Sequence, residues 1–201
     1  MRKFIGIVIG VTVIASYFIY TKNLPTTNNL TNIAQKNFDQ NLVDFTTQME
    51  AGYPSTPEDV VTSYSDLLQL AYSEHADTED IVALVEMMRT LYSSELLLLN
   101  DANKQVINLV ADVENQREQA NFLLQSSIAR VEYLENTDEM TIIMTHTMTN
   151  FKITREYYVV KENDQWKIFS FKDVGVEQFS ASDALENQAD ALEFDTLENQ
   201  A

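Results

Sequence analysis

A folded domain begins at the stretch Tyr53-Pro54-Ser55-Thr56-Pro57-Glu58-Asp59-Val60-Val61. Thr56 is typical of a helix N-cap, because its hydroxyl can accept from an amide of the first turn that has no partner within the helix. Pro57 then occupies the first helical position, where its missing N–H costs nothing, and two acidic residues follow at the positive end of the helix dipole. Apolar residues recur at helical spacing and predict a first helix that ends near Glu74: Val60, Val61, Tyr64, Leu67, Leu68, Ala71 and Tyr72.

Two further helices are predicted after the first. One begins near Thr78, where a capping residue again precedes acidic residues, and the other begins after Asn100 and Asp101. Between them, residues 95–99 form a short segment that is almost entirely leucine. Because leucine is among the residues most often buried, we expect this segment to pack into the core.

The apolar pattern changes from helical to alternating after about Gln119, which is typical of strands. Four strands are predicted, at residues 122–135, 140–148, 152–161 and 165–172. The turn-prone residues 162–164 join the last two strands as an antiparallel hairpin. Three helices followed by four strands predict an α+β domain over residues 53–176, with the helices covering one face of a four-stranded antiparallel sheet.

An uncharged, mostly apolar run at residues 4–20 follows Arg2 and Lys3. Its length is near the short end of what spans a bilayer as one helix. It ends in bulky aromatic residues instead of the small residues that signal peptidase requires, so we predict an uncleaved transmembrane signal anchor, with a cleaved signal as the alternative. The larger positive charge before the run predicts a single-pass protein of the cell membrane, whose C-terminal domain lies outside the cytoplasm.

Three segments flank the predicted domain. Residues 1–22 are the cytoplasmic stub and anchor, and residues 23–52 form a polar juxtamembrane stalk whose apolar spacing predicts partial helix. Residues 177–201 contain no lysine or arginine and are predicted to form a flexible acidic tail.

Composition excludes several functions. The chain has 31 acidic and 13 basic residues and a net charge of −18, which repels phosphate backbones, so we expect no nucleic-acid partner. It has no cysteine for a disulfide or a nucleophile, and no glycine-rich phosphate loop. His75 lies among acidic residues, but without the spacing of a metal site, and we expect neither a metal nor a cofactor.

The order of elements resembles the nuclear transport factor 2-like, or cystatin-like, cone over residues 54–174. The helix start at Thr56 and the closing hairpin at residues 157–168 carry this resemblance. More narrowly, Tyr53-Pro54-x-Thr56-Pro57, Glu95-Leu96-Leu97 and Arg155-Glu156-Tyr157 resemble an uncharacterised family of membrane-anchored bacterial proteins from clostridia. Because the cone hosts enzymes, ligand binders and interaction domains alike, the resemblance implies a pocket between sheet and helices but no activity.

The strand that starts at Met140 presents one face to this expected pocket, because side chains alternate along a strand. His146 shares that face with four apolar residues, Met140, Ile142, Met144 and Met148. A histidine there could transfer protons if a partner oriented it, or it could be hydrogen-bonded and purely structural. We assign no catalytic residue, and we predict six residues that line the pocket: Tyr64, Tyr72, Met144, His146, Tyr157 and Trp166.

We therefore expect a non-enzymatic module of the cell envelope that binds a protein or a small apolar ligand. One alternative is an isomerase- or hydrolase-like enzyme that uses His146 as acid or base. Another is a structural subunit of a membrane assembly. An open apolar cavity favours the binding module, a cavity pairing His146 with a carboxylate favours the enzyme, and a filled cone favours the structural subunit.

Overall fold

The computed structural model of the chain describes residues 29–133 and 138–179, which belong to two compact units divided after Pro54. The first unit contains helix α1 (Asn29–Ala51), which occupies most of the predicted stalk. The predicted anchor at residues 4–20 lies outside the described residues. Within the described ranges, no helix is both long enough and apolar enough to cross a bilayer.

The second unit begins at Ser55 and contains helices followed by strands. Its strands form an antiparallel sheet in the order β1-β2-β3-β4, so each strand pairs with its neighbour in sequence. The predicted α+β domain with a four-stranded antiparallel sheet is confirmed. Its elements are α2 (Pro57–Ala71), α3 (Thr78–Thr90), α4 (Ser94–Leu99), α5 (Ala102–Glu118), β1 (Leu123–Tyr133), β2 (Glu139–Met148), β3 (Phe151–Glu162) and β4 (Gln165–Gln178).

Reciprocal hydrogen bonds fix the starts of α2 and α3. The Thr56 hydroxyl accepts from the Asp59 amide at 3.1 Å, and the Asp59 carboxylate accepts from the Thr56 amide at 3.3 Å. Asp77 and Asp80 exchange the same two bonds at 2.9 and 3.0 Å. Each pair satisfies two amides that have no partner within the helix. The predicted helix starts are confirmed, but the capping residue of α3 is Asp77 and not Thr78.

Helix α2 packs on one face of the sheet, where it contacts β1, β2 and β4. Its inward face is fully buried at Val60, Val61 and Leu67. Burial alternates along β2, whose inward residues are all at most 4% exposed: Met140, Ile142, Met144, His146 and Met148. The alternation predicted for this strand is therefore confirmed.

The expectation that residues 95–99 pack into the core is wrong for most of the segment. These residues lie in α4, whose first turn is capped by Ser93. Leu96 is 8% exposed, whereas Leu98 is 87% and Leu99 is 76% exposed. Because a helix presents only one side to the core, a run of consecutive leucines cannot all be buried in this short helix.

Strand β4 continues to Gln178, beyond the predicted end of the strand at Lys172 and of the domain at residue 176. The added length pairs with β3, since Arg155 lies opposite Asp173 and Phe151 lies opposite Gln178. Arg155 strengthens this pairing with hydrogen bonds of 2.6 and 3.3 Å to the two carboxylate oxygens of Asp173. Residues 180–201 of the predicted tail lie outside the described residues.

A two-residue turn joins β3 and β4. Asn163 and Asp164 have φ angles of 52° and 64°, in the left-handed region that Asn and Asp tolerate better than most residues. Two consecutive positive φ angles are typical of the turn whose twist matches that of its flanking strands. The antiparallel hairpin predicted at residues 162–164 is confirmed.

Candidate functional site

An open cleft of about 450 Å³ lies between α5 and the residues of α2, α3, β3 and β4 that face it. Its floor is formed by side chains that are at most 5% exposed: Tyr64, Leu68, Met88 and Tyr92. The remaining lining residues are Tyr72, Leu99, Asn100, Asp101, Lys104, Gln105, Asn108, Leu109, Asp112, Arg155 and Phe171. This volume lies within the range of sites that bind small molecules.

Aromatic rings form a cluster at the base of the cleft. The Tyr64 ring centroid lies 5.8 Å from those of Tyr92 and Tyr157, and 5.7 Å from that of Phe171. These separations and the tilted or edge-on ring planes are favourable for aromatic pairs. Phe171 is 38% exposed, so part of the cluster is available to a ligand.

A chain of hydrogen bonds connects α5 to this aromatic floor. Gln105 Nε2 donates to the Tyr92 hydroxyl at 2.9 Å, and Tyr92 donates to the Tyr64 hydroxyl at 3.3 Å. Arg89 Nη1 donates to Gln105 Oε1 at 3.1 Å and to the Asn100 carbonyl at 2.9 Å. Burial raises the pKa of both Tyr64 and Tyr92, so both hydroxyls keep their protons at neutral pH.

Two charged side chains of the cleft are held by partners within the chain. The Arg155 guanidinium bonds to Asp173 and lies 5.4 Å from the centroid of the Phe171 ring. Burial is the largest single influence on Arg155 and lowers its pKa, but the hydrogen bond to Asp173 and the charge interactions with Tyr157, Tyr64 and Asp173 together outweigh it and raise the pKa above its ordinary value. Tyr72 donates to the Asp112 carboxylate and so links α2 to α5 across the cleft.

The six predicted pocket residues separate into two groups. Tyr64 and Tyr72 line the cleft. Met144, His146 and Tyr157 are 1%, 3% and 0% exposed and do not contribute to its lining. Trp166 is half-buried on β4, also away from the cleft. Met144, His146 and Tyr157 thus lie in the core, where their side chains fill the space between α2 and the sheet instead of lining an open pocket.

His146 is part of a buried hydrogen-bond network. Its Nδ1 lies 2.8 Å from the Ser126 hydroxyl, and its Nε2 lies 2.9 Å from the Tyr157 hydroxyl. Burial, assisted by the positive charge of Arg155, lowers the pKa of His146 to about 4. The ring is therefore neutral at physiological pH, and the two hydroxyls match its one donor and one acceptor nitrogen.

Sequence reasoning missed most of the cleft. Its α5 wall carries polar residues three to four positions apart, a spacing that places them on one side of a helix. That polar stripe was the signal of the cleft in the sequence. A helix face that contacts only solvent has the same pattern, so the stripe did not distinguish the two. Phe171 and Arg155 gave no local signal, because their position in the cleft depends on how the sheet faces α5.

The described residues contain no cluster of three or more histidine, aspartate or glutamate side chains placed to hold a metal ion. His75 pairs with the carboxylate of Glu74 at 3.3 Å near the end of α2. The cleft therefore offers apolar contacts, hydroxyl and amide hydrogen bonds, and ionic groups.

The described part of the second unit is an α+β domain with an open cleft lined by aromatic, amide and charged side chains. Residues 1–171 match the family described as domain of unknown function DUF6715, and the chain belongs to that family. No curated protein matches the chain.

Two solved structures resemble the chain at low identity. The intermembrane-space region of the chloroplast protein ARC6 is 12% identical with a TM-score of 0.35, over 58% of this chain and 92% of that chain. A cystatin-like domain of unknown function from Nostoc punctiforme is 8% identical with a TM-score of 0.37, over 72% of this chain and 97% of that chain. At these values, neither structure informs on the activity or the partners of this chain.

Proposed function

We propose that the domain is a binding module that holds a small, partly apolar ligand in the cleft. The observation that carries this proposal is the open space of about 450 Å³ over a buried aromatic floor. The expected pocket beside Met144 and His146 is filled by side chains, which by itself would favour the structural subunit, and the space that supports binding is the separate open cleft beside α5.

The cleft is suited to binding because its walls are fixed before a ligand arrives. Gln105 and Asp112 on α5 are hydrogen-bonded to Tyr92 and Tyr72 on the opposite side. A pre-organised site loses less conformational entropy on binding than one that must be ordered by its ligand. Apolar contact would come from the exposed part of Phe171 and from Leu109, and polar contact from the amide of Asn108.

No observation favours the alternative in which His146 serves as acid or base in a pocket. The recorded partners of His146 are the hydroxyls of Ser126 and Tyr157, and its side chain lies outside the lining of the cleft. Its low pKa also keeps it neutral at physiological pH. A structural role explains these three observations.

Filling the cleft should abolish ligand binding. Asn108→Trp places a large ring at an exposed position that lines the cleft, whereas Asn115→Trp places it elsewhere on the exposed surface of α5. With 3-phenylpropionamide as a neutral aromatic probe, we expect a Kd on the order of 1 mM for the parent chain, typical of such small ligands. Ligand-observed NMR should show binding to the parent and to Asn115→Trp, but not to Asn108→Trp.

Either of two results would contradict this assignment. Equal binding to both tryptophan variants would place the probe outside the cleft. Absence of binding to the folded parent chain at millimolar probe would remove the basis for a small-ligand module.

We also propose that residues 4–20 anchor the chain in a cell membrane, with the C-terminal domain outside the cytoplasm. The uncharged run and the basic residues before it support this topology.

The finer resemblances, to the nuclear transport factor 2-like cone and to membrane-anchored clostridial proteins, remain part of this proposal. They agree with helices over a four-stranded sheet and with the apolar run, respectively.

Charge introduced into the run should release the full chain from membranes. Aspartate at the centre of a spanning helix costs about 3 kcal/mol, so the double variant Val11→Asp, Val13→Asp should be largely soluble. The parent should pellet with membranes and resist alkaline carbonate, and its domain should be digested by external protease on intact protoplasts. Parent chain that carbonate releases would contradict the anchor, and an intact mass lacking the first twenty or so residues would indicate a cleaved signal.

A further inference from the structure

The acidic groups of the cleft already have donors within the chain. Asp101 caps α5, and one of its carboxylate oxygens accepts from the Lys104 amide at 3.0 Å. Asp112 accepts from the Tyr72 hydroxyl. Each hydrogen bond leaves the carboxylate charged and able to accept further donors, so the preference for an anion depends on Lys104.

The two basic groups of the cleft differ, because Arg155 is bonded to Asp173 whereas Lys104 is not. Lys104 is exposed at the rim, and within the described ranges its ammonium forms no ion pair or hydrogen bond. Other basic side chains of the sheet are paired, as in Lys172 with Glu156 at 3.1 Å and Arg130 with Glu132 at 2.8 Å. In a chain with 31 acidic and 13 basic residues, an unpaired ammonium beside an apolar cleft is a distinctive feature.

Building on the proposed function, we propose that the ligand of this cleft is a small organic acid with an apolar, ring-containing body and a single carboxylate. Its body would pack against Phe171 and Leu109, and its carboxylate would pair with Lys104. A neutral amide of the same shape would lose the ionic contact with Lys104, and an amine would be repelled by Lys104 but attracted by Asp101 and Asp112. The net charge of −18 repels anions at long range, which favours one carboxylate over several.

Three probes of the same shape test this inference: 3-phenylpropionate, 3-phenylpropionamide and 3-phenylpropylamine. On the full chain at low salt, we expect the acid to bind roughly fivefold more tightly than the amide, as one exposed ion pair allows, and tighter binding of the amine than of the acid would overturn the inference. Added salt should reduce the difference between acid and amide, because it screens exposed charges.

Lys104→Gln tests where the carboxylate binds. This variant should bind the acid no better than the amide. Lys161→Gln removes the same charge from the far end of β3, outside the lining of the cleft, and should retain the preference for the acid. Circular dichroism of both variants verifies that they are folded.

The outcomes separate the inference from the proposed function. Equal binding of acid and amide to the parent would overturn the inference and leave the binding module standing. A preference for the acid that survives in Lys104→Gln would overturn the assignment of the carboxylate to Lys104. Failure of all three probes to bind the folded chain would overturn both the inference and the proposed function.

Discussion

Leu67→Ala is expected to lower the free energy of unfolding by about 3 kcal/mol, within the range measured for buried leucines. Leu67 is 0% exposed on α2, the helix that packs on the inner face of the sheet. The substitution removes apolar surface from the core and leaves a cavity that the rigid sheet can fill only in part. Urea denaturation of the full chain, followed by far-ultraviolet circular dichroism, measures the loss.

Leu98→Ala is the matched control, because it is the same substitution in another helix at a side chain that is 87% exposed. Its effect should stay within about 0.5 kcal/mol. A loss of unfolding free energy as large as that of Leu67→Ala would contradict the exposed position of Leu98. A loss below about 1 kcal/mol for Leu67→Ala would contradict the central packing of α2.

Acidification is expected to destabilise the domain through His146. The pKa of His146 is lowered from 6.5 to about 4 by burial, so between these values the unfolded chain binds a proton that the folded chain does not. Stability therefore rises with pH across this window and is lost as pH falls through it. At about 1.4 kcal/mol per pKa unit, the full loss is on the order of 3 kcal/mol, of which about 2 kcal/mol falls between pH 7 and pH 5.

His146→Gln should remove this contribution. Carboxylates also titrate at low pH, so the informative quantity is the difference in unfolding free energy between parent and variant at each pH. From pH 7 to pH 5, we expect the parent to lose about 2 kcal/mol of unfolding free energy relative to the variant. His75→Gln changes the chain's other histidine, near the end of α2, and leaves His146 in place, so the contribution of His146 should persist in that variant. A constant difference between parent and His146→Gln across this range would contradict a buried, neutral His146.

Much of the secondary structure could be predicted because its causes are local. The starts of α2 and α3 depend on pairs of side chains three residues apart, Thr56 with Asp59 and Asp77 with Asp80. Burial along β2 follows the two-residue period of a strand, which is visible in its sequence. His146 could accordingly be placed on the inner face of the sheet and Tyr157 in the same predicted pocket, but the hydrogen bonds of His146 to Ser126 and Tyr157, on two other strands, had no sequence signal.

The cleft could not be predicted in the same way. Tyr64, Tyr92 and Phe171 are far apart in sequence, and their rings meet only because α2, the segment after α3, and β4 converge. The end of β4 was also decided at long range, since Arg155 on the neighbouring strand holds Asp173. In α4, composition alone indicated burial, but the orientation of a short helix exposes Leu98 and Leu99.

The sequence by itself determined the class of the domain, the helix starts, the inward face of β2 and the hairpin turn. Each of these depends on interactions within a few residues or on a simple period, so a short window of sequence contains the cause. Only the tertiary structure decided which tyrosines are buried, which side of α5 faces the cleft, and that Lys104 lies unpaired at its rim. These features depend on how whole elements pack against each other, and no local pattern encodes that arrangement.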